Sequence, residues 1–147
     1  MGLDAAVYKR LEDLPFTKED LRFIAVDPRT GQVDFEDAAL FRTWSDKVKA
    51  VQKRIGNMAL VSLLRSELER MLGKSSSGTL LISKVLYNGT HSGDIISKGD
   101  LGSLRYEIAL VRGIEGHKVS PELESFLADM EELVAASERH GNPIVFL

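Results

Sequence analysis

Residues 120–147 leave this chain few ways to fold. Ser120-Pro121 is a strong helix start, because proline occupies a position whose N–H has no helical partner anyway. Leu123, Phe126, Leu127, Met130, Leu133 and Val134 then recur on one helical face, and Gly141 ends the segment. Pro143-Ile144-Val145-Phe146-Leu147 follows at once and reads as a short buried strand, docked rather than frayed. An amphipathic helix feeding an apolar strand must bury both faces against other elements. The expected fold class is therefore α+β: a small mixed or antiparallel sheet with a β-hairpin, packed against several amphipathic helices.

Residues 2–8 fit a short edge strand, and Thr17 with Asp20 three residues on resembles a capping box. Arg22-Phe23-Ile24-Ala25-Val26, the turn Asp27-Pro28-Arg29-Thr30-Gly31 and Gln32-Val33-Asp34-Phe35 predict a hairpin. From about Asp37 the period becomes helical: Phe41, Trp44, Val48, Val51 and Ile55 are spaced 3, 4, 3, 4, a narrow seam that breaks at Gly56-Asn57. It restarts in a new register as Val61, Leu64, Leu68 and Met71, with Gly73 as the cap. The expectation is one kinked helix or two helices; left exposed, the first seam is a candidate homodimer interface. Residues 74–78 read as a linker and 79–87 as a strand. Asp100 is placed to cap a helix with Leu101, Leu104, Ile108 and Val111 on its inner face. A single domain spanning 1–147 is expected.

The 147 residues, 44% hydrophobic and 28% charged, describe a folded protein rather than a disordered one. With no cysteine, a disulfide framework, a thiolate metal site and a thiol nucleophile are excluded. No apolar run reaches the roughly 18 residues a membrane span needs, no signal-peptide pattern opens the chain, and a cytoplasmic location is the expectation. The net charge of −3 is unevenly spread. Residues 9–37 carry eight acids against five bases, and 115–138 carry seven acids against Lys118. Lys47, Lys49, Lys53 and Arg54 are the basic cluster. Direct nucleic-acid binding lacks its basic footprint, whereas a basic protein partner is matched. The bland alternative is that these charges are solvated helix faces.

The residues best suited to chemistry or recognition are Tyr87-Asn88-Gly89-Thr90-His91-Ser92-Gly93-Asp94. Read structurally, two glycines make a tight turn and the polar side chains satisfy backbone groups. Read as a contact surface, Tyr87, Asn88, Thr90, His91, Ser92 and Asp94 are displayed to a partner. Read as a small hydrolase or transferase, His91 is a general base oriented by Asp94, with Ser92 or Thr90 as nucleophile. Sequence neighbours rarely reach that geometry, so no catalytic residue is assigned. Gly73-Lys74-Ser75 fails as a phosphate loop, since Leu68 stands where the motif needs glycine. The acid-rich stretch from Asp27 fails as a calcium loop at Arg29 and Ala38. His91, His117 and His140 lack zinc spacing, so no metal or other cofactor is expected. His140 suits the negative end of a helix dipole.

Thr90-His91-Ser92-Gly93-Asp94 after an apolar segment, a Leu-rich helix, then Phe126, Met130 and Leu133 leading to His140-Gly141-Asn142-Pro143-Ile144-Val145-Phe146, resembles small bacterial immunity proteins encoded beside polymorphic or contact-dependent toxins. The resemblance covers roughly residues 79–147. It implies a non-enzymatic cytosolic inhibitor that binds a cognate protein toxin domain and occludes its active site. Contact residues vary among such proteins, and none is carried over. Against a basic toxin such as a nuclease, the acidic segments would mimic the charge of its substrate.

Overall fold

The computed structural model describes residues 2–114, 116 and 118–147. The fold is α+β. A four-stranded antiparallel sheet has the order β4-β1-β6-β5, from Gly2–Tyr8 (β1), Lys49–Asn57 (β4), Ile95–Ile96 (β5) and Ile144–Phe146 (β6). Ile24–Val26 (β2) and Val33–Phe35 (β3) form the expected hairpin, which stands apart as a two-stranded sheet of its own. The helices are Ala38–Trp44 (α1), Met58–Leu72 (α2), Leu101–Arg112 (α3) and Pro121–His140 (α4). Among the described residues no helix is long and apolar enough to cross a membrane.

The sheet is covered on both faces. Leu3, Ala5, Val7, Ile55 and Phe146 join the inner faces of α2, α3 and α4 in the main core. On the other side Tyr8, Val48 and Val145 pack with Leu14 and Val33, flanked by Phe16, Phe35 and Trp44. The hairpin is pinned onto this second layer at Gly31 (φ +77°), where an added Cβ would lie 2.5 Å from the side chain of Asn142. Asn142 in turn donates through Nδ2 to the carbonyl of Tyr8 at 2.8 Å.

Much of the local reading is realised. Thr17 and Asp20 cap each other reciprocally, backbone N–H to side chain in both directions. Ser120 Oγ accepts from the Leu123 N–H with Pro121 in the first turn, and Gly141 closes α4. The inner face of α3 is the predicted set, all buried. Asp100 begins that helix without capping it; its carboxylate instead pairs with Lys84 at 2.7 Å.

Four expectations are corrected. Residues 2–8 form an interior strand, paired to β4 on one side and β6 on the other. The seam of Phe41, Trp44, Val48, Val51 and Ile55 is not one helix. Phe41 and Trp44 end α1, and residues 49–57 pair along the whole of β1, from Gly2↔Asn57 to Tyr8↔Lys49. Val48 and Ile55 are buried and Trp44 and Val51 half-buried, which leaves Phe41 alone of the five exposed, so they present no common helical face. The β-branched residues tolerate either state, and the demand of β1 for a partner decides it. Residues 79–87 are not a strand either. Leu81–Val85 is a single π-helical turn, started by the Glu107 carboxylate, which accepts from the N–H groups of Leu80 and Leu81 at 2.9 and 3.0 Å. Its pairs Leu81/Val85 and Ile82/Leu86 are buried while Ser83 and Lys84 face out, so the apolar run had helical spacing all along. Residues 73–78 form a 3-10 segment rather than an open linker.

The acids of α4 are drawn into ion pairs. Asp129 and Glu132 meet Lys53 of β4, Glu124 and Glu131 meet Arg112, and Glu138 meets Arg105 at 2.8 Å. Glu67, buried on α2, accepts from both the N–H (2.9 Å) and Oγ (2.6 Å) of Ser120 and so locks α2 to the start of α4. Hydrogen bonds to a charged acceptor contribute about 1.5–3 kcal/mol each. Glu67→Ala should therefore lower the unfolding free energy by about 2–4 kcal/mol, measured by urea denaturation. Glu69→Ala, at an exposed site on the same helix, should change it by less than about 0.5 kcal/mol.

Candidate functional site

Loop 87–94 runs from the π-helical turn to β5, and its backbone extends the sheet. The Gly93 N–H donates to the carbonyl of Phe146, and the Phe146 N–H donates to that of Asp94. Asn88 Oδ1 accepts from the Thr90 N–H at 2.8 Å, the local turn that asparagine favours. Gly89 lies against the first turn of α2, where an added Cβ would be 3.0 Å from the Cα of Met58. Two turns further along α2, Arg65 Nη1 donates to the Tyr87 carbonyl at 2.7 Å.

His91 is the centre of this arrangement, and it is inside. The residue is 7% exposed, stacked on the Tyr87 ring (centroids 4.5 Å apart, 27° between planes) and met edge-on by Phe146 at 4.5 Å. Its Nε2 lies 2.7 Å from the carbonyl oxygen of Val85. A carbonyl only accepts, so Nε2 carries the proton. Nδ1 has no hydrogen-bond partner and faces Asp94 Oδ2 at 3.5 Å. That same oxygen accepts from the Tyr87 hydroxyl. The hydrogen bond to Asp94 pushes the Tyr87 phenol up to about 12, with burial and the Asp94 charge acting in the same direction.

The structure thus separates the six candidate residues into two roles. His91 is inside and holds the loop together with the stacked ring of Tyr87, which is itself 37% exposed, while Asn88, Thr90, Ser92 and Asp94 are exposed on it. Both nitrogens of His91 point at Val85 and Asp94, and no described hydroxyl is hydrogen-bonded to either. Thr90 Oγ1 bonds Asn88 instead, at 3.3 Å. An open cleft of roughly 280 Å³ beside the loop is lined by Arg29, Ser83, Lys84, Tyr87, Asp94 and Ile95. Met58 and Arg65 were not identified from sequence. Met58 is 65% exposed, and its large apolar side chain stands out of phase with Val61, Leu64 and Leu68. That misfit was the available signal.

Among the described residues no group of three or more His, Asp or Glu side chains is placed to hold a metal ion. His117 and Glu115 lie outside the described residues. His140 ends α4 as expected, but burial pulls its pKa down, opposed by Asp13 and aided by Arg139, Lys9 and Arg10. A neutral imidazole gains little from the helix dipole.

Two measurements follow from this geometry. His91→Ala should cost about 3 kcal/mol of stability, since it empties an aromatic sandwich and strands a carbonyl; Ser92→Ala should be near neutral in the same denaturation series. The raised Tyr87 pKa favours the folded state below the ordinary value of 10, and this contribution is lost as pH climbs from there to about 12. Ultraviolet titration should show one phenol ionising near pH 12 that returns toward 10 in Asp94→Asn.

No family model, curated protein or solved structure matches this chain, so the reading of its function rests on the residues and their geometry.

Proposed function

We propose that this chain is a non-enzymatic binding protein of the immunity type, acting in the cytoplasm to neutralise a cognate bacterial toxin by covering its active site. The contact face is loop 87–94 together with Met58 and Arg65 of α2. The observation that carries the reading is the preorganisation of that loop. His91 is buried beneath it, Tyr87 is clasped to Asp94, the backbone is tied to β6, and Arg65 and Met58 brace its flank. A loop ordered before binding loses little conformational entropy on contact, which favours affinity. Its exposed surface offers a tyrosine and a methionine beside an arginine, residue types enriched at protein interfaces.

The acidic contribution is narrower than composition suggested. Most α4 acids are already paired to Lys53, Arg105 and Arg112, so charge steering toward a basic partner falls to acids elsewhere, including Asp94.

Tagged protein used to capture a partner from bacterial lysate, with Ser92→Arg and Met58→Asp as comparison variants, tests the reading. Both positions are exposed, so the variants should melt as the parent does. One stoichiometric partner should be retained by the parent and weakened on the order of 100-fold by either variant. Expression of that partner alone should arrest growth, and co-expression with the parent should restore it. A partner held equally by all three proteins, or one whose expression is harmless, would overturn the proposal.

A further inference from the structure

Away from loop 87–94, the hairpin and α1 leave an open cleft of about 410 Å³ against β4 and the end of β1. Three aromatic rings line it, Tyr8, Phe35 and Phe41, together with the carboxylates of Asp34 and Asp46. Phe35 and Phe41 meet edge to face at 6.4 Å, and Phe41 is 56% exposed. Val33 and Val48 add buried apolar wall. Neither carboxylate has a cationic partner among the described residues. Lys49 also lines the cleft, but its ammonium bonds Gln52 Oε1 at 3.0 Å.

Tyr8 is the second, independent pointer. It is 3% exposed and lines the cleft, yet its hydroxyl makes no hydrogen bond to any described residue. Burial first, then the charge of Asp34, raises its pKa, so the phenol stays neutral with its oxygen free to accept. The Tyr8 ring is buried while its hydroxyl opens onto the cleft, so a donor seated there meets a free oxygen acceptor.

The chemistry selects one kind of occupant. An anion would meet the carboxylates of Asp34 and Asp46, with the Lys49 ammonium already bonded to Gln52. A cation can donate charge-assisted hydrogen bonds to Asp34 and Asp46 and to the Tyr8 oxygen, beside the rings of Phe35 and Phe41. We propose that this cleft binds a guanidinium or ammonium group carried on an apolar stem, the stem packing on Phe35 and Phe41. Its occupation does not require the partner surface at loop 87–94.

The test is calorimetric and NMR titration of the intact chain with three probes: an acetylated Gly-Arg-Gly amide, the same peptide with citrulline for arginine, and agmatine. The arginine peptide or agmatine should bind saturably, with shifts at residues 33–35 and 41–46. The neutral citrulline peptide should bind at least about tenfold more weakly. Tighter binding of the peptide would assign the cation to a polypeptide side chain; tighter binding of agmatine would assign it to a small amine. Asp34→Asn with Asp46→Asn should weaken the cation at least about tenfold. Phe41→Ala, which removes one of the two rings proposed to pack the stem, should weaken it as well. Equal binding of the citrulline peptide, unchanged binding by the carboxamide variant, or no saturable shift with any probe would overturn the proposal.

Discussion

Strand β1 must be paired along both edges and covered on both faces, and the rest of the molecule is arranged around that requirement. Leu3, Ala5, Ala6, Val7 and Tyr8 are all buried, so their backbone N–H and C=O groups have no water to bond. Residues 49–57 satisfy one edge and the C-terminal strand the other. Each edge joins segments far apart in sequence, the first about fifty residues away and the second well over a hundred. The helices α2 and α4 then close the main core, and the hairpin with α1 closes the second.

The same constraint builds the loop. Because β6 is pinned by β1, Phe146 presents its ring to His91 and its backbone to Gly93 and Asp94. His91 then anchors Val85 of the π-helical turn, and Tyr87 stacks over it. The polar residues at the surface are consequently held by aromatic contacts underneath them. A histidine read from sequence as a surface or chemical group becomes the structural pin that lets its neighbours be the surface.

The charges show a comparable reassignment. In the sequence, seven acids between 115 and 138 stand against Lys118 alone. Five of the described ones are matched by Lys53, Arg105 and Arg112, cations that lie on β4 and α3. The unpaired negative charge of interest is instead at Asp34 and Asp46, which the fold brings together across the second core's rim. Linear charge counts register the first group and miss the second, because pairing depends on which elements are adjacent.

Local signals were legible wherever a structure is settled by residues within one or two turns. Ser120-Pro121 and Gly141 bound α4, Thr17 and Asp20 cap each other, the turn at 27–31 makes its hairpin, and the faces of α2, α3 and α4 follow from their 3.6-residue period. Where distant partners compete, the sequence alone was ambiguous. Residues 48–55 satisfy a helical period and also carry β-branched side chains, and only the open edge of β1 makes them a strand. Residues 81–86 are apolar enough for strand or helix, and only the carboxylate of Glu107, some 26 residues on, starts the turn. The burial of His91 likewise needed Phe146 from the other end of the chain. The α+β class, the caps and the amphipathic faces were determined by the sequence itself, because they rest on short-range periodicity and turn chemistry. Strand pairing, the partners of the acids and the interior place of His91 were decided only in the tertiary structure, because each depends on a group brought near by long-range packing.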